Sequence, residues 1–66
     1  MSVAKVVELS GSSKKSMEAA VAKVVKRASK TLKNVQGVYV KDIKADVTGG
    51  KITRWRVLCK VTFLLN

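Results

Sequence analysis

The chain has 66 residues, a length that supports one domain and leaves little room for a large core. One cysteine and no histidine exclude an intrachain disulfide and the usual zinc ligand sets, so neither device is expected to stabilise the fold. Fourteen Lys and Arg residues against four acidic residues give a formal net charge of +10, which favours anionic partners.

The first predicted element is a β-strand over residues 2–9, in which alternate residues fall on two sides. Residues 11–13, with the sequence GSS, then interrupt the alternation. Ser13 is the predicted N-cap of the helix that follows, because its hydroxyl can accept a hydrogen bond from an unpaired amide of the first turn. The helix is predicted from about residue 14 to residue 32.

One face of this helix is apolar, because hydrophobic residues recur with the three- and four-residue spacing of a helix. These residues are Met17, Ala20, Val21, Val24, Ala28 and Leu32. The other faces are rich in cations, which usually form a solvated surface. Asn34 tolerates a left-handed backbone conformation, so the chain is predicted to leave the helix there.

A second strand is predicted over residues 35–47, with a β-bulge near Lys41 and Asp42 where the alternation of apolar residues changes its register. Residues 48–50, with the sequence TGG, favour a tight reversal because glycine adopts positive φ readily. The chain therefore folds back directly as a hairpin.

The third strand, of about a dozen residues, shows a strict alternation from Trp55 onward. Its apolar side consists of Trp55, Val57, Cys59, Val61, Phe63 and Leu65. This side is predicted to cover the helix, with Cys59 as a small buried hydrophobe and Trp55 in the core or at a subunit interface.

These elements predict an α+β fold of one domain over residues 1–66, with the order β-α-β-β. The helix crossover leaves room for the third strand between the other two, so the sheet is expected to be antiparallel with strand order 1-3-2. Two sheet edges and a partly apolar second face remain uncovered, which predicts a homo-oligomer. The reduced cysteine and the lack of a recognisable signal peptide or membrane span favour the cytoplasm.

Four segments together resemble the dodecin family over nearly the whole chain. They are VAKVVELSGSS, ASKTLKNV, GVYVKDIKADV and KITRWRVLCKVTF, the last two separated by the glycine turn. The resemblance implies a hollow homododecamer that stores flavin, either FMN or riboflavin, between its subunits and catalyses no reaction.

The flavin site that the resemblance implies consists of Gln36, Gly37, Tyr39, Lys44 and Arg56. Gly37 stands where the family has a tryptophan that stacks on flavin, and Arg56 where it has a glutamine that hydrogen-bonds the ring edge. Because arginine donates but cannot accept, these replacements predict weaker or altered flavin binding. Lys44 keeps a cation near the position of an FMN phosphate. Tyr39 either replaces the stacking ring or packs over a neighbouring strand.

Two alternatives to flavin binding remain open. One is a basic scaffold that binds nucleic acid or other anions through lysines and through Arg54 and Arg56; the other is a shell that has lost its ligand. Catalysis is not expected, since no histidine is present and the four acids are scattered. The GSSKKS segment lacks the pattern of a phosphate-binding loop, so a phosphate there would depend on the helix N-terminus and on Lys14 or Lys15 alone.

Overall fold

A computed structural model describes residues 3–65 and contains four elements. They are β1 (Ala4–Ser13), α1 (Met17–Thr31), β2 (Val35–Thr48) and β3 (Lys51–Leu64). The three strands form one sheet in the order β1-β3-β2, and both neighbouring pairs are antiparallel. The predicted fold class and strand order are therefore confirmed.

The first strand extends four residues beyond its predicted end, because residues 11–13 continue the sheet instead of interrupting it. Gly11 lies opposite Val57 on β3, on the side of the sheet that α1 covers. A Cβ at this position would lie 2.7 Å from Val24 Cγ2 and 3.2 Å from the carbonyl oxygen of Ala20. Glycine is required here by the close approach of the helix and does not mark a turn.

The helix starts three residues later than predicted, and its N-cap is Ser16 rather than Ser13. The Ser16 hydroxyl accepts a hydrogen bond of 3.0 Å from the Ala19 amide. Ser13 is instead the last residue of β1, where it is buried and its Oγ accepts a bond of 3.0 Å from the Lys15 amide. Both serines satisfy backbone amides, but Ser13 does so in the connection before the helix.

Both predicted reversals of the chain are confirmed. Asn34 has a φ of 58°, so it adopts the left-handed conformation between α1 and β2. Gly49 and Gly50 have φ values of 60° and 77° and form the two-residue turn between β2 and β3. Two consecutive positive φ values match the turn type that suits the twist of a hairpin.

The second and third strands differ slightly from the prediction. The register of β2 against β3 shifts between Val40 and Asp42, which confirms the bulge at Lys41. Two further shifts occur, between Val35 and Gly37 and between Asp46 and Val47. The third strand starts at Lys51, four residues before Trp55, because the hairpin turn is only two residues long.

The core lies between one face of α1 and the predicted apolar side of β3. Its buried residues are Ala20, Val24, Ala28, Val57, Cys59, Val61 and Phe63. The helix contributes small side chains, which allow its backbone to approach the sheet closely. No residue of the edge strand β2 is fully buried, so β3 is the strand that organises the core.

The hairpin of β2 and β3 is much longer than the helix that covers it. Two strands of 14 residues span roughly 46 Å, whereas a helix of 15 residues spans about 22 Å. The hairpin therefore projects past α1 and past Ser13, the last residue of β1, and the subunit is 52 Å long but only 19 Å wide. The projecting part has no helix of its own chain over it.

The fit of α1 against β1 predicts the effect of a methyl group at Gly11. We expect Gly11→Ala to lower the free energy of unfolding by about 1–3 kcal/mol, because Val24 and the Ala20 carbonyl must move. Chemical denaturation followed by circular dichroism measures this change. Gly37→Ala is the control, since nothing lies within 4 Å of its added Cβ, and equal losses in the two variants would contradict the packing described.

Candidate functional site

The face of the sheet opposite α1 carries most of the residues that the dodecin resemblance assigned to the flavin site. Cross-strand partners share a face, so the strand pairing defines this surface, which we call the open face. It consists of Ala4, Val6, Glu8, Ser10, Ser12, Gly37, Tyr39, Asp42, Lys44, Asp46, Arg54, Arg56, Leu58, Lys60, Thr62 and Leu64. Helix α1 covers none of it.

Lys44 and Arg56 lie directly opposite each other on this face. They line a cavity of about 370 Å³, together with Ser10, Ser12, Asp42 and Leu58. The cavity thus combines two cations, one carboxylate, two hydroxyls and the apolar side chain of Leu58. These groups can bind an anion and cover part of an apolar ring, and the structure brings them together from all three strands.

Arg56 is engaged within the subunit. Its Nε donates to both carboxylate oxygens of Asp46, at 3.2 and 3.0 Å, and its Nη2 lies 3.0 Å from Oδ2. These hydrogen bonds are the main reason why the pKa of the Asp46 carboxyl lies below its ordinary value, and attraction to Arg56 and Arg54 acts in the same direction. The same bonds raise the pKa of Arg56. Asp46 therefore competes with any anion that approaches Arg56.

Gly37 and Tyr39 lie at the other end of the open face, opposite Thr62 and Lys60. On β3, Thr62 lies six positions from Arg56 and Lys60 lies four, which correspond to roughly 20 Å and roughly 13 Å along the strand. Neither Gly37 nor Tyr39 of the same chain lines the Lys44 cavity.

Gly37 and Tyr39 both lie in open surroundings. The Tyr39 side chain is 66% exposed, so it does not pack in the core of its own subunit. Nothing lies within 4 Å of a Cβ built on Gly37, which leaves open space beside Tyr39. A stacking role for Tyr39 stays a prediction.

Gln36 is the extra residue of the first bulge in β2, and it is exposed. Its Nε2 donates to the Asn34 carbonyl oxygen at 3.3 Å. This bond holds the side chain over the exit from the helix. Gln36 is therefore placed near Gly37 in the chain, but the bulge removes it from the regular alternation of the open face.

Trp55 and Cys59 lie on the helix side of β3, as predicted. Cys59 is fully buried, and burial raises the pKa of its thiol above the ordinary value, so it behaves as a structural residue. Trp55 is half-buried at the start of the projecting hairpin. Neither side chain reaches the Lys44 cavity, since both point to the opposite face.

Within residues 3–65, no three acidic or cysteine side chains come close enough together to hold a metal ion. The single helix described there is also too short and too polar to cross a membrane.

The sequence prediction missed Asp46 as the partner of Arg56. The two residues are ten positions apart and meet because β2 and β3 pair with a register shift between Asp46 and Val47. The serines of β1 at the cavity were also missed, since the strand was expected to end at Leu9. The sequence did contain a signal for them, because Ser10 and Ser12 continue the even-numbered positions that face outward in β1.

A three-stranded antiparallel sheet, with one helix on one face and a basic cavity on the other, defines a small α+β domain. The sequence model of one family, Dodecin, matches residues 3–66. The dodecin of Thermus thermophilus is 35% identical over 64 residues, which cover 97% of this chain and 93% of that protein. The chain belongs to the dodecin family.

Solved structures agree with this assignment. A variant of the Thermus thermophilus dodecin superposes with a TM-score of 0.93 at 33% identity, covering 100% of this chain and 98% of that one. The dodecin from Streptomyces davaonensis gives a TM-score of 0.91 at 29% identity, with 98% and 96% covered. A calcium dodecin from Mycobacterium tuberculosis, described as a calcium-chelating antigen, gives 0.82 at 31% identity, with 97% and 91% covered.

The contact between Asp46 and Arg56 predicts how that carboxyl titrates. We expect Arg56→Gln to raise the pKa of Asp46 toward its ordinary value, because the main hydrogen bonds that favour the carboxylate are lost. Since the folded-state pKa is lowered, the contribution of this pair to stability is complete above the unfolded-state pKa and is lost as the pH falls through the folded-state pKa.

Carbon-13 NMR of the side-chain carboxyl measures this pKa directly. Lys44→Gln is the matched control, because it removes a neighbouring cation that is not among the causes of the shift. An unchanged Asp46 titration in Arg56→Gln would contradict the contact.

Proposed function

We propose that this protein is a non-enzymatic, homo-oligomeric flavin-binding subunit that stores or sequesters FMN in the open-face cavity. The observation that carries the proposal is the pairing of Lys44 with Arg56 at a cavity of about 370 Å³, on the face that α1 leaves uncovered. Dodecin family membership supports the choice of a flavin as the ligand.

A phosphate group distinguishes FMN from riboflavin, and the charges of the cavity favour the phosphorylated form. The Arg56 charge is largely compensated by Asp46, whereas the ion pairs found within residues 3–65 leave Lys44 without a carboxylate partner. Lys44 therefore provides the cation for the phosphate. Arg56 and the two serines of β1 provide further hydrogen-bond donors at the cavity wall.

The flavin ring needs an apolar or aromatic surface, and one chain supplies little of it. Leu58 is the large apolar side chain that lines the cavity, and Tyr39 lies opposite Lys60, roughly 13 Å from Arg56 along the sheet. In this proposal, Tyr39 of a neighbouring copy covers the ring. A tyrosine two positions from Gly37 offers less stacking area than a tryptophan, so binding is weaker than in tryptophan-bearing dodecins.

Assembly with further copies is part of the proposal, and the projecting hairpin supports it. Its helix-side surface is apolar and consists of Ala45, Val47, Ile52 and Trp55; together with Ile43, which adjoins it next to α1, we call this surface the hairpin patch. Ile43, Val47 and Ile52 are at least half exposed in the single subunit. An apolar surface of this kind is typical of a subunit contact. We infer a homododecamer, assembled in the cytoplasm.

The phosphate contact predicts a selective effect of Lys44. We expect the protein to quench flavin fluorescence, and Lys44→Gln to weaken FMN binding about tenfold while leaving riboflavin binding nearly unchanged, because only FMN loses a charge-assisted bond. Fluorescence titration with the two flavins measures both affinities. Lys51→Gln at the hairpin turn makes the same change in net charge away from the cavity and serves as the control.

Equal weakening of FMN by the Lys44 and Lys51 substitutions would contradict a specific phosphate contact. A protein that quenches neither flavin would overturn the proposed function.

The hairpin patch predicts how assembly fails. We expect size-exclusion chromatography with light scattering to give the mass of a dodecamer for the natural chain and smaller species for Val47→Asp, because a charge would be buried at the subunit contact. Thr48→Asp is the control, since it adds the same charge one residue away. A monomeric natural chain, or equal masses for the two variants, would contradict this assembly.

A further inference from the structure

A second basic cavity lies beside the first half of α1, at the edge of the sheet that β1 forms. It has a volume of about 500 Å³, and we call it the basic cleft. Its cations are Lys14, Lys15, Lys23, Lys26 and Arg54. They come from three separate segments of the chain: the β1–α1 connection, the helix and β3. The sequence suggested Lys14 or Lys15 for a phosphate and Arg54 with Arg56 for anions, but it did not place these cations around one cavity.

The shape of the cleft results from small residues between large ones. Ala19 and Ala22 line it, so the helix surface has little bulk where the long side chains of Lys23 and Lys26 stand at its sides. Lys23 and Lys26 are three residues apart and lie on the same side of the helix, about 4.5 Å apart along its axis. Several ammonium groups can therefore reach one ligand.

The lysines of the cleft have no ion-pair partner among residues 3–65, and only Arg54 lies close enough to a carboxylate, that of Asp46, to attract it. The two ion pairs within residues 3–65 join Lys41 to Glu8 and Arg56 to Asp46, and neither includes a cation of the cleft. No acidic side chain lines the cleft. Like charges that converge in this way repel one another, and a bound anion relieves that repulsion.

The side chains carry this charge, and the helix N-terminus adds little. The Ala19 amide of the first turn already donates to Ser16, and the Lys15 amide donates to Ser13. The second of these bonds ties the connection with Lys14 and Lys15 to the buried end of β1. Lys14 and Lys15 therefore lie on a connection that a hydrogen bond holds in place.

We propose that the basic cleft binds a short chain of phosphates, either inorganic polyphosphate or the triphosphate of a nucleotide. Adjacent phosphates carry several negative charges over a short distance, which matches cations gathered from three segments around a compact cavity. A cavity of this size encloses such an ion, whereas a nucleic acid strand would extend along the whole surface. The two cavities share Ser12 but none of their cations, so substitutions of the cations test the two sites separately.

Isothermal titration of the assembled natural protein with sodium tripolyphosphate tests the proposal. We expect saturable binding that the double substitution Lys23→Gln and Lys26→Gln weakens roughly a hundredfold, since two charge-assisted contacts are lost. The double substitution Lys30→Gln and Lys33→Gln is the matched control. It removes the same charge from positions outside the cleft and should change the affinity by less than about threefold.

Titration with ATP distinguishes the source of the phosphates. If ATP and tripolyphosphate bind with equal affinity, the cleft recognises the phosphate chain alone. If ATP binds more tightly, the cleft recognises a nucleotide triphosphate. The proposal is overturned if tripolyphosphate does not bind, if both double variants weaken it equally, or if only single-stranded DNA binds. Arg54→Gln, which leaves the helix unchanged, provides a further variant that should weaken tripolyphosphate binding about tenfold.

Discussion

The structure depends on one constraint: a helix of 15 residues has to cover a sheet whose two longest strands have 14 residues each. The helix has small residues on its inner face. Ala20 and Ala28 are buried there, and they allow the helix backbone to lie close to the central strand. This arrangement buries a compact core around Cys59 and Val61. It also leaves the hairpin and the entire second face of the sheet without cover, and these surfaces are where ligands and further subunits can bind.

The few acidic residues divide the positive surface into two kinds of site. Glu8 and Asp46 lie on the open face, where they pair with Lys41 and Arg56. That face is therefore moderately basic and retains apolar side chains, as a site for a flat anionic ring requires. Glu18, on the helix, lines the apolar groove toward Met17 and Ile43 rather than the basic cleft. The cleft consequently keeps its full charge, which suits a smaller and more highly charged ligand.

Features set by neighbouring residues could be predicted from the sequence, including the helical spacing of the core, the Gly49–Gly50 turn and the bulge at Lys41. Features that require residues distant in the chain to meet could not. Gly11 looks like the end of a strand until the position of Val24 is known. The contact of Asp46 with Arg56 depends on how the register shift after Asp46 aligns β2 with β3. The basic cleft likewise requires Arg54 and the helix to be placed beside the β1–α1 connection.

The bulge at Lys41 also fixes which way the rest of β2 faces. Before it, even-numbered valines such as Val40 point toward the helix side; after it, odd-numbered residues such as Ile43 do so. Lys41 is the extra residue of the bulge, because Val40 and Asp42 lie opposite the consecutive residues Cys59 and Leu58 of β3. Deleting Lys41 would therefore give a regular strand with Ile43 still inward and Lys44 still outward, so the length of β2 can change by one residue at this point without altering the binding surface.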